Sequence, residues 1–534
     1  MGFMIEQFNE EEKKALIPFV SNLDRDVFVL KNLPEVIKGA LFSRYSRSSK
    51  SLRRLLLDEF ILSDEGAFKE IVTIGKESGN EALAIEKAQN FYDRILDGYG
   101  DDSIGELGGA HLACENVSNL ASKALENPRI GGSPLEKSTR YLFFDKKVDN
   151  DYQFYKEPKI MKSELAELYL QANRFLFDTY ANLIDPMKKF VMEKFPQEEN
   201  VPDIAYKFSV RARACDALRG LLPTSTLTNL GIFGNGRFFE NLILRFRADN
   251  LSEMNNLADN VQTELNSVIP SFVRRCRPDN KHFKSSFDFL KNTANFVLDE
   301  TKRLTEIEVG KKEALELVDY DEDAEEKVLS SLLYENSKLP LSQLRQIIKD
   351  MNIDERKKLL SFLDLRQNRR HKPPRAFENC YYTFDVLTDF GSYRDLQRHR
   401  MLTQERQNLT TLHGFYVPEE ITSAGFENDF REAMDKAEHA YKEIYNKFPK
   451  ESQYIVPFAY KVRWYMKMNL RSVYWISELR SVEQGHPTYR HIAQQMYLKT
   501  KEVHPALSEY MKYVDMNEYG LGRLKAEVKK EEKG

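Results

Sequence analysis

The sequence predicts an α+β fold that contains two tandem copies of one module, each with a small sheet and long helices. Three observations lead to this prediction. A short β-like apolar stretch runs through Asn or Asp into an amphipathic helix twice, at 27–48 and at 314–339. A strand-helix-loop block of similar length also occurs twice, at 102–144 and at 375–417. Each block is followed by a long helical segment with apolar residues at three- and four-residue spacing.

The join between the copies is predicted in a charged, glycine-containing stretch from Asp299 to Glu313. It divides the chain into a first module, residues 1–305, and a second module, residues 306–534. The two copies share little residue-level similarity, so the repeat needs the support of motifs.

Length and composition describe a globular chain of 534 residues, with 41% hydrophobic and 30% charged residues. A net charge of −4 argues against a general polyanion binder, so the basic residues must act in local clusters. No apolar run approaches the length of a bilayer span, and the N-terminus carries acids where a signal peptide has its apolar core. We therefore expect a cytoplasmic protein that binds neither membrane nor nucleic acid.

The cysteines and histidines argue against thiol and metal chemistry. The four cysteines lie far apart and form no C-x-x-C pair, which disfavours a disulfide scaffold or a thiolate zinc site. Cys114 and Cys380 lie in apolar, strand-like surroundings that are typical of core thiols. We predict no metal site, because the following histidines lack metal-ligand spacing: His371, His413, His486 and His491.

The densest positive cluster lies in "RDLQRHRMLTQERQNLTTLHGFYVP", from Arg394 to Pro418. Taken by itself, such a run is typical of a solvated basic face or a nucleic-acid patch. If the run is helical, Arg394 and Arg398 are four residues apart, which costs about 0.2–0.5 kcal/mol when no anion lies between them. Planar guanidinium groups bind phosphate oxygens in a bidentate manner, so the cluster indicates an anion site.

Three patches between residues 314 and 515 resemble the flavin-dependent thymidylate synthases. The first is the family signature Arg-His-Arg, here Arg398-His399-Arg400. The second, "PRAFENCYYTF", resembles the Phe-Glu-His entry to a strand, with Asn379 in place of His. The third, "PFAYKVRWYMKMNLRSVYWISELR", resembles a family helix in which a Pro, an Asn-x-Arg and a final Arg follow at fixed steps, here Pro457, Asn469, Arg471 and Arg480.

Each copy retains what the other lacks. The second module reads Arg406-Gln407-Asn408-Leu409-Thr410-Thr411 where the family continues Glu-x-Ser-x-Arg-Tyr, and it has Gln453 where the family has an Arg before the Pro. The first module has Pro128-Arg129-Ile130 at the spacing of Arg-His-Arg. It keeps the other family residues: Glu136, Ser138, Arg140 and Tyr141, with Arg219 before Pro223.

The first module carries a poorer copy of the predicted helix. Gly231, Gly234 and Gly236 fall within it, and each would cost about 0.5–1 kcal/mol relative to Ala in a helix. Asn235 and Arg237 keep the Asn-x-Arg form, but Arg247 lies one step too far along to match the final Arg.

The resemblance implies a homotetramer whose active sites lie between subunits, with Arg-His-Arg from one subunit and Glu-x-Ser-x-Arg from another. A fused pair would keep one complete composite site and lose its pseudo-symmetric twin. Two such chains would form a homodimer that mimics the tetramer. The sequence leaves open whether the composite site forms within one chain or between two.

The resemblance also implies roles for the site residues, with FAD as the cofactor. Glu136 would lie near both the flavin and the nucleotide. The predicted cofactor-binding residues are Arg398, His399, Arg400, Asn469, Arg471 and Glu136. The predicted substrate-binding residues are Arg394, Glu136, Lys137, Ser138, Thr139, Arg140, Arg219 and Arg480.

Arg480 is the predicted catalytic residue. If Pro457 to Arg480 is one helix, Arg480 shares a face with Val473 and Ile476, where a cation is costly unless it meets an anion or a dipole. A buried structural ion pair is the alternative explanation. The resemblance favours contact with the uracil ring, where Arg480 would hold the charge that develops on N3 and O4 as C5 becomes nucleophilic.

The reaction implied is the reductive methylation of dUMP to dTMP, with methylenetetrahydrofolate and NADPH. No G-x-G-x-x-G marks a dinucleotide-binding domain, so NADPH would bind transiently. Two alternatives remain: a non-catalytic flavin or nucleotide sensor, and a related enzyme that modifies C5 of another pyrimidine nucleotide.

Overall fold

The computed structural model of the chain describes residues 7–62, 105–128, 130–302, 304, 307, 310 and 313–532. Arg129, in the first module's counterpart of Arg-His-Arg, lies outside the described residues, as does much of the predicted join.

Strands and α-helices are interspersed along the described part of the chain. The strands are β1 (Gly109–Ser118), β2 (Gly132–Glu136), β3 (Lys147–Val148), β4 (Asp151–Tyr152), β5 (Leu227–Asn235), β6 (Leu315–Tyr320), β7 (Tyr381–Asp389), β8 (Leu402–Arg406) and β9 (Lys461–Asn469). The helices up to residue 302 are α1 (Glu10–Leu16), α2 (Glu35–Tyr45), α3 (Leu52–Leu55), α4 (Asn119–Glu126), α5 (Pro158–Met161), α6 (Ala166–Lys194), α7 (Asp203–Leu218), α8 (Gly236–Ala248), α9 (Ser252–Asn266) and α10 (Phe283–Lys302).

The remaining α-helices follow strand β6. They are α11 (Ala324–Tyr334), α12 (Leu341–Asp350), α13 (Ile353–Leu360), α14 (Phe390–Leu396), α15 (Glu419–Ser423), α16 (Glu427–Lys447), α17 (Leu470–Arg480), α18 (Pro487–Val503), α19 (Pro505–Ser508) and α20 (Leu524–Glu531). A π-helix covers Leu56–Ile61, and 3₁₀ helices cover Arg219–Leu221, Pro270–Cys276, Ser361–Leu365, Arg375–Asn379 and Glu451–Ile455.

Two sheets share the same arrangement of three strands, and the second sheet has a fourth strand, β6. Their strand orders are β1-β5-β2 and β6-β7-β9-β8, and a separate two-stranded sheet joins β3 to β4. In each large sheet a strand, a short helix and a second strand (β1-α4-β2 and β7-α14-β8) are followed later by a strand that runs directly into a helix (β5-α8 and β9-α17). The predicted α+β fold with two tandem modules is confirmed.

The chain forms two compact units that do not coincide with the sequence modules. One unit comprises 1–116, 124–136 and 229–307, and the other comprises 117–123, 137–228 and 308–534. Residues 137–228 of the first module therefore pack with the second module. The module boundary after residue 305 stays a prediction. It separates two copies in the sequence, whereas the compact units are defined by contacts in the fold, so the units do not test it.

The core of the second unit includes the two long helices predicted from spacing. Helix α6 buries Tyr169, Leu176 and Tyr180 along one face, and α16 likewise buries Phe430 and Met434. The two helices pack against each other. Their apolar residues recur at three- and four-residue steps, as a helix with one buried face requires.

Equivalent segments of the two modules meet around two prolines. Pro223 of the first module pairs antiparallel with its counterpart Pro457 of the second. The backbone N–H of Thr224 donates to the carbonyl of Val456 at 3.0 Å. This self-complementary pairing is what a local two-fold axis between two copies produces.

The prediction that Pro457 to Arg480 is one helix is wrong. Strand β9 occupies Lys461–Asn469, with Val462, Trp464 and Met466 buried at alternate positions. The strand ends at Asn469, whose side chain caps helix α17 by accepting from the N–H of Ser472 at 2.9 Å. Buried residues alternate with period two up to Asn469, which is the pattern of a strand. The three- and four-residue spacing of a helix begins only at Leu470.

Two related predictions are also wrong. Gly231 and Gly234 lie in strand β5 and α8 begins at Gly236, so no helix interior contains these glycines. Helix α14 ends at Leu396, so Arg394 and Arg398 do not share a helical turn. Arg398 lies in the turn that leads to β8.

Candidate active site

A cavity of about 170 Å³ in the second unit is rich in arginine. We call it the Arg140 cavity. Segments from both sequence modules contribute to it. Its lining residues are Ser138, Thr139, Arg140, Tyr141, Arg219, Arg394, Asp395, Arg398, Arg480 and Tyr489.

Arg219 can reach this cavity because helix α14 has a glycine, Gly391, where the Arg219 side chain packs against it. The carboxylate of Asp389 caps α14 by accepting from the N–H of Ser392 at 2.9 Å. A Cβ at Gly391 would lie 3.1 Å from the guanidinium carbon of Arg219. Glycine at this position therefore lets Arg219 lie against the first turn of the helix.

Arg140 is held in place by a buried bidentate ion pair. Its Nε and Nη2 donate to the two carboxylate oxygens of Asp216, each at 2.7 Å, and its Nη1 donates to the hydroxyl of Tyr489 at 2.8 Å. Burial works to lower the pKa of Arg140, but the negative charge of Asp216 raises it well above its usual value. Asp216 on α7 thus fixes the charge and direction of this guanidinium.

A second carboxylate, Asp395, lies in the cavity itself. Its Oδ2 accepts from Arg219 Nη1 at 3.0 Å. Burial would raise the pKa of Asp395, yet the positive charges of Arg219, Arg140, Arg398 and Arg480 hold it well below its usual range. Asp395 is therefore ionised, and the arginines still outnumber the two aspartates.

Arg480 lies at the C-terminal end of α17 and is aimed by a histidine. Its Nε donates to His399 Nε2 at 2.9 Å. Burial, with the charge of Arg480, holds the pKa of His399 well below its usual value. His399 is therefore neutral, and its lone pair orients the guanidinium, which keeps its proton.

A second cavity of about 390 Å³ adjoins the first, since Arg398 lines both. We call it the Trp475 cavity. Arg471 is positioned there by donating to Glu378 Oε1 at 2.6 Å and to the carbonyl of Pro373 at 2.7 Å. The lining residues are Lys372, Glu378, Arg398, His399, Arg400, Met401, Leu402, Asn469, Arg471, Ser472, Trp475 and Ile476.

Comparison with known proteins assigns the family. The model of the family described as "Thymidylate synthase complementing protein" matches residues 59–271 and 316–506. The chain belongs to this family. The two matched segments agree with two tandem modules.

This chain is also similar, over nearly its whole length, to several UPF0159 proteins. It is 45% identical over 525 residues to one from Chlamydia muridarum and 46% identical over 529 residues to one from Chlamydia pneumoniae, with 98% of each chain covered. It is 36% identical over 520 residues to one from Thermoplasma acidophilum, covering 92% of this chain and 98% of the relative.

Most of the residues predicted from the family resemblance meet in the two cavities. Ser138, Thr139, Arg140, Arg219, Arg394 and Arg480 of the substrate set line the Arg140 cavity. Arg398, His399, Arg400, Asn469 and Arg471 of the cofactor set line the Trp475 cavity. Their roles stay predictions.

Two predicted site residues line neither cavity. Glu136 ends strand β2 in the first unit, paired with Leu230, and is buried. Lys137 is exposed and lines a third cavity instead. Their roles in binding likewise stay predictions.

Sequence reasoning missed three residues that this family member uses to shape the site: Asp216, Asp395 and Tyr489. Asp395 stands inside the arginine-rich stretch, where an acid next to Arg394 was a visible signal. Asp216 and Tyr489 carry no local signal, because each meets Arg140 only through the fold.

The second module carries different residues at the positions that correspond to Thr139, Tyr141 and Arg219. Gln453 takes the place of the first module's Arg219, and its Oε1 accepts from the N–H of Leu409 at 2.9 Å. Leu409, Thr411 and Gln453 are all buried. Neutral side chains therefore occupy these three positions in the second module.

None of the four cysteines lines either cavity. All four are buried thiols, and burial raises the pKa of Cys114 to about 11 and that of Cys380 to about 12. In the described part of the chain, no group of three or more His, Cys, Asp or Glu side chains is placed to hold a metal ion. The helices that the structure describes include none long and apolar enough to cross a membrane.

His486 beside the site should make stability depend on pH. Its Nδ1 accepts from the N–H of Thr488 at 3.3 Å, and burial together with Arg219 lowers its pKa to about 4. The unfolded chain binds this proton near pH 6.5, so stability should fall as pH drops from 6.5 towards 4, by up to about 1.4 kcal/mol per pH unit. His486→Asn keeps a helix cap without the titration, and urea unfolding across this range should show a flatter profile. An unchanged slope would contradict the prediction.

Proposed function

We propose that the chain is a flavin-dependent thymidylate synthase, a methyltransferase of dTMP biosynthesis. It converts dUMP to dTMP by reductive methylation, with FAD as cofactor, methylenetetrahydrofolate as one-carbon donor and NADPH as reductant. One composite site would serve each chain, built from residues of both modules.

The observation that carries the proposal is the pair of adjoining cavities that share Arg398. Guanidinium groups in excess over carboxylates fit a phosphate monoester, and those of Arg140 and Arg219 are already oriented by Asp216 and Asp395. A preorganised group loses less entropy when the ligand binds. The deoxyuridylate phosphate would therefore bind in the Arg140 cavity.

The Trp475 cavity has the chemistry that a flavin dinucleotide requires. Its volume of about 390 Å³ lies within the usual range for small-molecule sites. Arg398, Arg400 and Arg471 offer positive charge for a pyrophosphate, while Trp475 and Ile476 offer apolar surface for a planar ring. Bound there, the flavin would supply the hydride of the reductive step.

Arg480 would act between the two ligands. It lines the Arg140 cavity and donates to His399, which lines the Trp475 cavity. A fixed positive charge at this position would stabilise negative charge that develops on the pyrimidine N3 and O4 as C5 attacks the one-carbon unit. Since an arginine keeps its proton, another group must accept the proton that leaves C5.

The test is the absorbance spectrum of the purified protein, followed by tritium release from C5-labelled dUMP with all co-substrates. We expect a yellow protein and release of tritium. A colourless protein that cannot be reconstituted with FAD would refute the proposal. A yellow protein that releases no tritium would leave the sensor, or an enzyme acting on another pyrimidine nucleotide.

Flavin content should depend on Arg471 and not on its counterpart Arg237. Arg471→Ala removes a charged contact from the cavity and leaves Glu378 without this partner, which should weaken FAD binding tenfold or more. Arg237→Ala is the matched control, because Arg237 follows a capping Asn in the same way and pairs with Glu106 at 3.5 Å. FAD titration of the two variants measures the difference. Equal losses would contradict the assignment.

A further inference from the structure

A third cavity in the second unit is lined mainly by cationic side chains. Its volume is about 620 Å³, and we call it the Lys188 cavity. Cations reach it from three parts of the chain: the loop after β2, helix α6 and helix α7. They are Lys137, Lys146, Lys188, Lys207 and Arg211, with Asp145 as the acid among the lining residues.

The partners of these cations leave the positive charge available to a ligand. Lys188 pairs with Asp185, and Lys207 pairs with Asp203, but both acids are more than two-thirds exposed and lie on the same helix as their lysine. Such exposed pairs contribute little to stability and are screened by salt. A multiply charged ligand can therefore compete with them.

Arg211 adds a fifth cation whose position is fixed by a ring contact. Its guanidinium carbon lies 5.0 Å from the ring centroid of Phe143, which fixes its position. Its Nε is buried, yet it has no hydrogen-bond partner among the described residues. The ring contact thus holds the charged guanidinium of Arg211 on the wall of the Lys188 cavity.

The cavity lies next to the proposed nucleotide site along the chain. Lys137 precedes Ser138, and Leu142 and Phe143 follow Tyr141, so one short loop lines both cavities. Consecutive Cα atoms are about 3.8 Å apart, which puts the two cavities within reach of one extended ligand or two neighbouring ligands.

We propose that the Lys188 cavity binds the anionic tail of a co-substrate, and that this tail is the oligo-γ-glutamyl chain of the folate. This rests on the proposed function. Five cations from three parts of the chain fit a row of separate negative charges better than one phosphate, and Leu142 and Phe143 add apolar surface for the ring that precedes the glutamates. The phosphates of NADPH share this chemistry and are the other possible source.

The experiment compares binding of mono- and pentaglutamyl tetrahydrofolate to the whole protein by equilibrium dialysis at low salt. We expect the pentaglutamate to bind about tenfold more tightly, and the triple variant Lys146→Gln, Lys188→Gln, Lys207→Gln to abolish that advantage. The control triple Lys189→Gln, Lys442→Gln, Lys499→Gln changes the charge equally and removes similar helix pairs, so it should preserve the advantage.

Dialysis needs no turnover, so it separates this inference from the proposed function. If tritium release fails but the pentaglutamate advantage depends on the three lysines, the cavity assignment stands. Equal binding of both folates, or equal loss in both triples, overturns it. Loss of the preference for NADPH over NADH in the first triple alone would assign the cavity to the dinucleotide phosphate and overturn the folate assignment.

Discussion

Arg480→Ala is expected to reduce kcat by about 100- to 1000-fold while FAD remains bound. Removing one preorganised donor that meets developing charge costs this much in other enzymes. Because the partner charge appears mainly in the transition state, kcat should fall more than the affinity for dUMP. Steady-state kinetics with tritium release measures kcat, and the flavin absorbance measures retained cofactor.

Two further variants distinguish a catalytic from a structural role for Arg480. Arg463→Ala is the matched control, because Arg463 is also a partly buried arginine of the second unit, paired with Asp385 at 2.8 Å, and it lines neither cavity. His399→Leu removes the acceptor that orients Arg480 and should lower kcat by a smaller factor. A kcat for Arg480→Ala within threefold of wild type would end the proposed role.

The sequence motifs predicted that Arg140 and Arg480, which are far apart in the chain, would lie close together. Arg140 and Arg480 belong to different modules, and each module lacks the residues that the other keeps. The fold brings both to one cavity. The pairing of Pro223 with Pro457 supplies the local symmetry that makes such complementary loss possible.

The features that the sequence did not predict depend on contacts between distant residues, or on a segment in which strand and helix periodicities compete. The segment from Pro457 to Arg480 was predicted as one helix, but its buried residues alternate with period two up to Asn469, whose side chain caps a separate helix. Asp216 could not be recognised, because its role depends on Arg140, which lies 76 positions earlier in the sequence. The boundaries of the compact units could not be predicted from the sequence either, because residues 137–228 of the first module pack with the second module.

Arg140→Ala is expected to weaken dUMP binding by about 2–5 kcal/mol, the usual cost of losing one charged contact from a desolvated site. The change also leaves Asp216 buried without its main partner, so stability must be followed by thermal unfolding. Arg140→Lys keeps a charge but loses the two-pronged contact, and an intermediate affinity is expected. Isothermal titration with dUMP measures binding separately from turnover.

Mixing Arg140→Ala with Arg480→Ala tests where the composite site forms. Both residues line one cavity of one chain, so each mutant chain carries a damaged site whatever its partner. The proposed assembly is a homodimer of fused chains, which light scattering can establish before the co-expressed mutants are purified as mixed dimers. Their activity should equal the mean of the two single mutants. If the site formed between chains, a mixed dimer would regain one intact site and much of the wild-type rate. Such rescue, or full turnover in Arg140→Ala alone, would disprove a composite site within the chain.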